Sequence, residues 1–202
     1  MGYKNNFGKE EVKDKIINLL LSTGREGVSN LINHMDKNGF FTAPCSGGNH
    51  LAKEGGLAEH SLNVYNIAND TSISIMGFDD VCKLGDSIII SALLHDLGKI
   101  GQFDKPLYVD NILKSGKRSD AKPYAQSTDL LKVDHEVVSV VEASRFIQLT
   151  EEEQFAILYH NGLYVGLGRS LNGNETPLQI LIHFADMWAS RVTEGECVEE
   201  KE

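Results

Sequence analysis

The run Leu93-Leu94-His95-Asp96-Leu97-Gly98-Lys99 closes an apolar stretch that begins at Ile88, and it ends that stretch with a histidine and an aspartate side by side. Burying either side chain unpaired is costly. A divalent cation at this point would offset that cost for both at once. The question for the fold is whether the rest of the chain supplies the other ligands.

Elsewhere the chain repeats apolar residues at helical spacing. Val12, Ile16, Leu19 and Leu20 predict one short packing helix, and Val28, Leu31, Ile32 and Met35 a second. The glycines and the proline between Asn38 and Gly56 read as a loop. A helix should follow over about 57–75, ended by Gly77, and another over about 80–96, ended by Gly98 in a left-handed conformation. Residues 101–132 lack sustained periodicity and hold Pro106, Gly116 and Pro123, so a long polar loop is expected, with a small hairpin near 108–112 and 121–126. Helices resume at about 136–147 and after Thr150, where Thr150 and Glu153 form a capping box. Thr176-Pro177 announces the last helix, which should reach about residue 192. The expected fold class is all-α: one helical bundle over 12–192, an N-terminal segment over 1–11, and an acidic, frayed tail over 193–202.

Hydrophobic residues make up 41% of the 202, enough for a full core. Cys45, Cys82 and Cys197 are odd in number and show no CxxC spacing, which argues against a disulfide framework and a zinc ribbon and suits a reducing compartment. The polar N-terminus shows no signal-peptide core, and Ile88–Leu94 is too short an apolar run to span a membrane. A cytoplasmic location without membrane contact is the expectation. A net charge of −10 speaks against nonspecific binding to duplex nucleic acid. Between Lys99 and Lys122, however, six basic residues face three acidic ones. That segment either steers an anionic substrate or is a solvated loop.

His60, His95, His135 and His160 fall near predicted helix ends, where side chains can point into a shared cleft. Asp186 stands among Phe184, Met187 and Trp188 on the last helix, surroundings that exclude a carboxylate unless it is paired or bound to metal. Taken singly, a helix histidine is more often a hydrogen-bonded core or surface residue than a ligand, and His34 offers nothing more. Together, imidazoles and carboxylates from five successive helices suit Mn, Fe, Co, Ni or Zn better than Mg or Ca, which prefer oxygen shells.

The order His60, His95-Asp96, Asp186 resembles the HD-domain superfamily of metal-dependent phosphohydrolases. The likeness extends to Phe40-Phe41-Thr42-Ala43-Pro44, His50, Glu54-Gly55-Gly56-Leu57, Glu59-His60-Ser61-Leu62, Asp134-His135-Glu136, His160-Asn161-Gly162 and His183-Phe184-Ala185-Asp186, and it resembles a bacterial and phage branch. It covers roughly 12–192. The branch usually has glycine where this chain has Asp134.

The resemblance implies an HD-type bundle whose His60, His95, Asp96 and Asp186 hold a first metal. His135 and His160 would add the ligands of a second, with Asp96 bridging the two ions. It implies hydrolysis of a phosphate ester in a nucleotide or similar small phosphorylated substrate by metal-activated water, with Asp96 and Lys99 catalytic. Lys99 would neutralise charge on the phosphate, or would simply be a lysine favoured at a helix C-terminus. His50, Lys99, Tyr108, Tyr124 and His183 are substrate-side candidates, the tyrosines to stack on a base and His183 alternatively to support the metal shell. The same ligand types also serve mixed-valent diiron oxygenases, and a nucleotide sensor without turnover would keep the same site. A homo-oligomer is compatible with all three readings.

Overall fold

The computed structural model describes residues 7–171 and 173–195. Among them seven α-helices carry the fold: α1 (Lys9–Ser22), α2 (Val28–Lys37), α3 (Gly56–Ile75), α4 (Phe78–Leu94), α5 (His135–Ser144), α6 (Glu151–Leu158) and α7 (Pro177–Trp188). In α1 the buried Val12, Ile16 and Leu20 recur every four residues, so one face packs while the rest is solvated. Two apolar clusters form the core. One joins α1 and α2 to Leu57 and Leu62 of α3 and to Leu93 and Leu94 of α4. The other joins Val64 and Ala68 of α3 and Ile88 and Ala92 of α4 to Leu178, Ile182 and Ala185 of α7. Helices α3 and α4 belong to both clusters, which is why their sequences are apolar on more than one face. Their central position sets His60 and His95 side by side.

The start signals of the later helices act as the sequence predicts. Thr150 caps α6 by accepting a hydrogen bond from Glu153 N–H, and the Glu153 carboxylate accepts one from Thr150 N–H. Thr176 accepts from Gln179 N–H with Pro177 at the first helical position. After Trp188 the chain widens into a π-turn over Ala189–Thr193. The long loop contains the expected hairpin: β1 (Tyr108–Asp110) and β2 (Tyr124–Gln126) are antiparallel, with Tyr108 opposite Gln126. The hairpin is tied to the loop before α3 by a hydrogen bond from Tyr124 N–H to the Gly47 carbonyl, 3.0 Å.

Two expectations need correction. Gly98 is not a left-handed stop; α4 ends at Leu94, and the chain continues as a 3-10 turn over Leu97–Ile100. Glycine is required at 98 for another reason. A Cβ there would collide with the His135 carbonyl, and the Gly98 N–H donates to Ser139 Oγ at 2.7 Å. The residue is thus the contact point that seats α5 on the His-Asp turn. The second correction concerns the tail. Thr193 is buried, and the Glu194 side chain is only 2% exposed, so the chain stays folded two residues into the segment expected to fray. Residues 196–202 lie outside the described part. Among the described residues no helix is long and apolar enough to cross a membrane.

Candidate metal centre

The other five anticipated ligands gather around Asp96. It is buried just beyond the end of α4, and its two carboxylate oxygens look in different directions. Oδ2 faces His60 Nε2 at 3.6 Å and His95 Nε2 at 3.4 Å. Oδ1 faces His135 Nε2 at 3.0 Å and His160 Nε2 at 3.7 Å. Asp186 closes the first side, with Oδ1 3.1 Å from His60 Nε2 and 4.0 Å from His95 Nε2. His60, His95 and Asp186 form one group that could hold a metal ion; His95, Asp96 and His160 form another. Asp134, where the resembling branch has glycine, is the residue before α5 and has an ordinary extended backbone, so His135 reaches the centre without a glycine there.

Each of the four imidazoles is held by its other nitrogen. His95 Nδ1 lies 2.8 Å from the Ala92 carbonyl and His160 Nδ1 2.7 Å from that of Ile157. Both carbonyls belong to a last helical turn, where no intrahelical N–H is left to reach them. His60 Nδ1 meets Glu194, and His135 Nδ1 lies 3.3 Å from Glu136 Oε2. Glu136 is itself held by Asn161 Nδ2 at 2.6 Å. With each Nδ1 so engaged, each Nε2 is turned toward the Asp96 carboxylate. This is the arrangement by which proteins fix ligating histidines.

Asp96, Glu136, Asp186 and Glu194 place four carboxylates in and around the cluster, and Lys99 brings a lysine to it. Lys99 Nζ sits 2.6 Å from Asp96 Oδ2. Burial would push the Asp96 carboxyl up, but Lys99, then His95 and His135, hold it well below the usual range. Burial, joined by His95, drives His160 down to about 3, so that ring is neutral and able to ligate. Burial opposes charge on His60, but Cys45 when ionised, Glu194 and Asp186 outweigh it and hold that imidazole well above its ordinary range. Asp96 Oδ1 is buried without a hydrogen bond; His135 lies close enough but is not aligned to donate. A buried carboxylate oxygen left in this way is expensive unless a cation faces it. The donor set of imidazole and carboxylate therefore fits a divalent transition metal.

The substrate-side candidates divide. Lys99 is in the centre, as its place in the sequence suggested. Tyr108, at the start of β1, is near enough to Lys99, Asp96 and Cys45 to feel their charge, and burial raises its hydroxyl pKa. Tyr124 lines a polar groove of 370 Å³ with Tyr108, Lys122 and the Gly47-Gly48 loop. Its ring is not free to stack on both faces, because the Arg118 guanidinium lies 4.2 Å from its centroid. His183 supports the shell and does not join it. Its Nδ1 donates to the His160 carbonyl at 2.6 Å, and its ring lies against Gly162. His50 enters the cleft from the loop before α3, 3.3 Å from Cys45 Sγ.

Three participants escaped the sequence reading. In the sequence Cys45 is one of three cysteines without CxxC spacing, Glu194 belongs to the acidic tail, and Glu136 is an ordinary first-turn acid. Only Glu136 carried a usable signal, its position next to His135.

A helical bundle closed around a buried shell of histidines and aspartates defines the class: an all-α protein whose clustered side chains could hold a metal ion. The HD-domain family model matches residues 57–189, about two thirds of the chain, and the protein belongs to the HD-domain family. Members of that family are mostly metal-dependent hydrolases. No curated protein and no solved structure gave a significant match.

Proposed function

We propose that the protein is a metal-dependent phosphohydrolase acting on a nucleotide or a similar small phosphate ester. One observation carries the reading: the two oxygens of Asp96 face two different sets of imidazoles, as a carboxylate bridging two cations would. Bound divalent cations would lower the pKa of a shared water and hold phosphoryl oxygens for in-line attack. The protein's own groups supply the remainder. Asp96 would span both positions, with His60, His95 and Asp186 to hold one ion and His135 and His160 the other. Lys99 places a positive charge at the same point, suited to the anionic oxygens of a phosphate. Tyr108 and the polar groove beyond it, with Lys122 on its wall, offer room for the rest of a small substrate.

The test is turnover. Purified protein supplied with Mn, Co, Ni or Zn is assayed against nucleotides, phosphate monoesters and phosphodiesters. The reading expects phosphate, pyrophosphate or a nucleoside to be released by the wild type and not by His95→Ala. Nucleotide binding at full metal occupancy with no product would contradict it, as would oxygen consumption by an iron-loaded protein in place of hydrolysis.

A further inference from the structure

The loop before α3 brings a thiol to the metal centre. Cys45 is fully buried, and its Sγ lies 3.3 Å from His50 Nε2, 3.7 Å from Lys99 Nζ and 4.0 Å from Asp96 Oδ2. Ligand atoms of Cys45, His50 and His60 all lie within 4.8 Å of one another. A spectator cysteine has no need of such surroundings, and an apolar pocket would bury it at lower cost.

The loop is built to hold this pair. Cys45 N–H donates to the Leu51 carbonyl at 3.2 Å, Ser46 Oγ donates to the His50 carbonyl at 2.8 Å, and Asn49 N–H donates back to Ser46 Oγ at 2.9 Å. Leu51, next to His50, adopts a left-handed backbone with φ 45°. The loop also presses on the start of α3, where any side chain at Gly56 would strike the Leu51 carbonyl. Residues 45 and 50 are thus locked to the helix that carries His60.

We propose that Cys45 is a metal ligand of this centre, its thiolate forming with His50 and His60 a softer corner beside Asp96. On binding, the thiol loses its proton to solvent and a sulfur–metal bond forms; no electron transfer is involved. A thiolate donor selects zinc, cobalt or nickel over manganese and magnesium. The inference rests on the cluster being a metal centre and is independent of which ester is cut.

The experiment uses cobalt(II) as both ligand and probe, on full-length protein with Cys82→Ser and Cys197→Ser to remove the other thiols. Bound cobalt is counted by dialysis and the absorption spectrum is recorded. The expected result is a near-ultraviolet sulfur-to-cobalt charge-transfer band in protein that retains Cys45. Cys45→Ser should lose that band while still binding cobalt through the histidines and aspartates, and should lose affinity for zinc more than for manganese. Cobalt bound with visible ligand-field bands but no sulfur band in the Cys45-containing protein would overturn the inference and leave the metal centre standing. No bound cobalt at all would overturn both. The parent spectrum decides the matter even if Cys45→Ser fails to fold.

Discussion

Glu194 holds His60 from behind: both of its carboxylate oxygens lie 3.0 Å from His60 Nδ1, across 134 residues of chain. Asn63 Nδ2, on the same helix as His60, donates to Glu194 Oε1 at 2.8 Å, so the carboxylate cannot swing away. The π-turn at Ala189–Thr193 is the local device that returns the chain to α3. A carboxylate on Nδ1 fixes the tautomer and makes Nε2 more basic. Glu194→Gln should therefore weaken metal binding about 10–100-fold with the helical content unchanged. Competition against a coloured chelator measures this; unaltered affinity would remove Glu194 from the site.

Lys99 and Asp96 form a nearly buried ion pair, with Lys99 13% and Asp96 2% exposed. Removing one partner of such a pair leaves an uncompensated charge. Lys99→Met should destabilise the metal-free protein by about 3 kcal/mol. Bound cations supply the missing positive charge, so the loss should shrink by more than half in the metal-loaded protein. Urea unfolding with and without chelator gives both values.

Gly98 and Gly85 are opposite cases in adjoining segments. Gly98→Ala sets a methyl against the His135 carbonyl and should cost about 1–3 kcal/mol, with weaker binding at the His135–His160 side. Gly85 lies inside α4 with open space around it, so Gly85→Ala should stabilise by up to ~1 kcal/mol. Thermal melts of the two variants distinguish packing from helix propensity.

Glu153 joins α6 to the loop after α1. Arg25 donates to both of its oxygens, at 2.7 and 2.9 Å, and Ser87 donates at 2.8 Å. Burial would raise its pKa, but Arg25, Thr150 and Ser87 outweigh burial and lower it. A folded-state pKa below the unfolded value gives stability that is present above the unfolded value, near pH ~4.3, and lost as pH falls through the folded one. Glu153→Gln should thus cost about 2 kcal/mol at pH 7 and progressively less below pH ~4. Denaturant midpoints of both proteins across that range test the sign; a gap that widens on acidification would refute it.

Local chemistry explains which parts could be read before the fold was known. The capping box at Thr150, the Thr176-Pro177 start and the helical spacing of Val12, Ile16 and Leu20 act within a few residues, and the structure repeats them. The clustering of the candidate ligands His60, His95, Asp96, His135, His160 and Asp186 was legible because each sits near a helix end or among apolar neighbours, where an unpaired polar group would be too costly. Cys45 and Glu194 were not, because what brings them in is the closed 45–51 loop and a π-turn, neither of which has a periodic signature. Gly98 reads as a helix stop in the sequence because its true constraint, the approach of α5, comes from a residue 37 positions further on.

The central claim is a pair of cations joined by Asp96, and metal stoichiometry tests it most directly. Manganese bound to the wild type and to His135→Ala is counted by equilibrium dialysis, with electron paramagnetic resonance read on the same samples. The account predicts two ions per chain with an exchange-coupled spectrum in the wild type, and one uncoupled ion in His135→Ala. A single uncoupled ion in both proteins would contradict it.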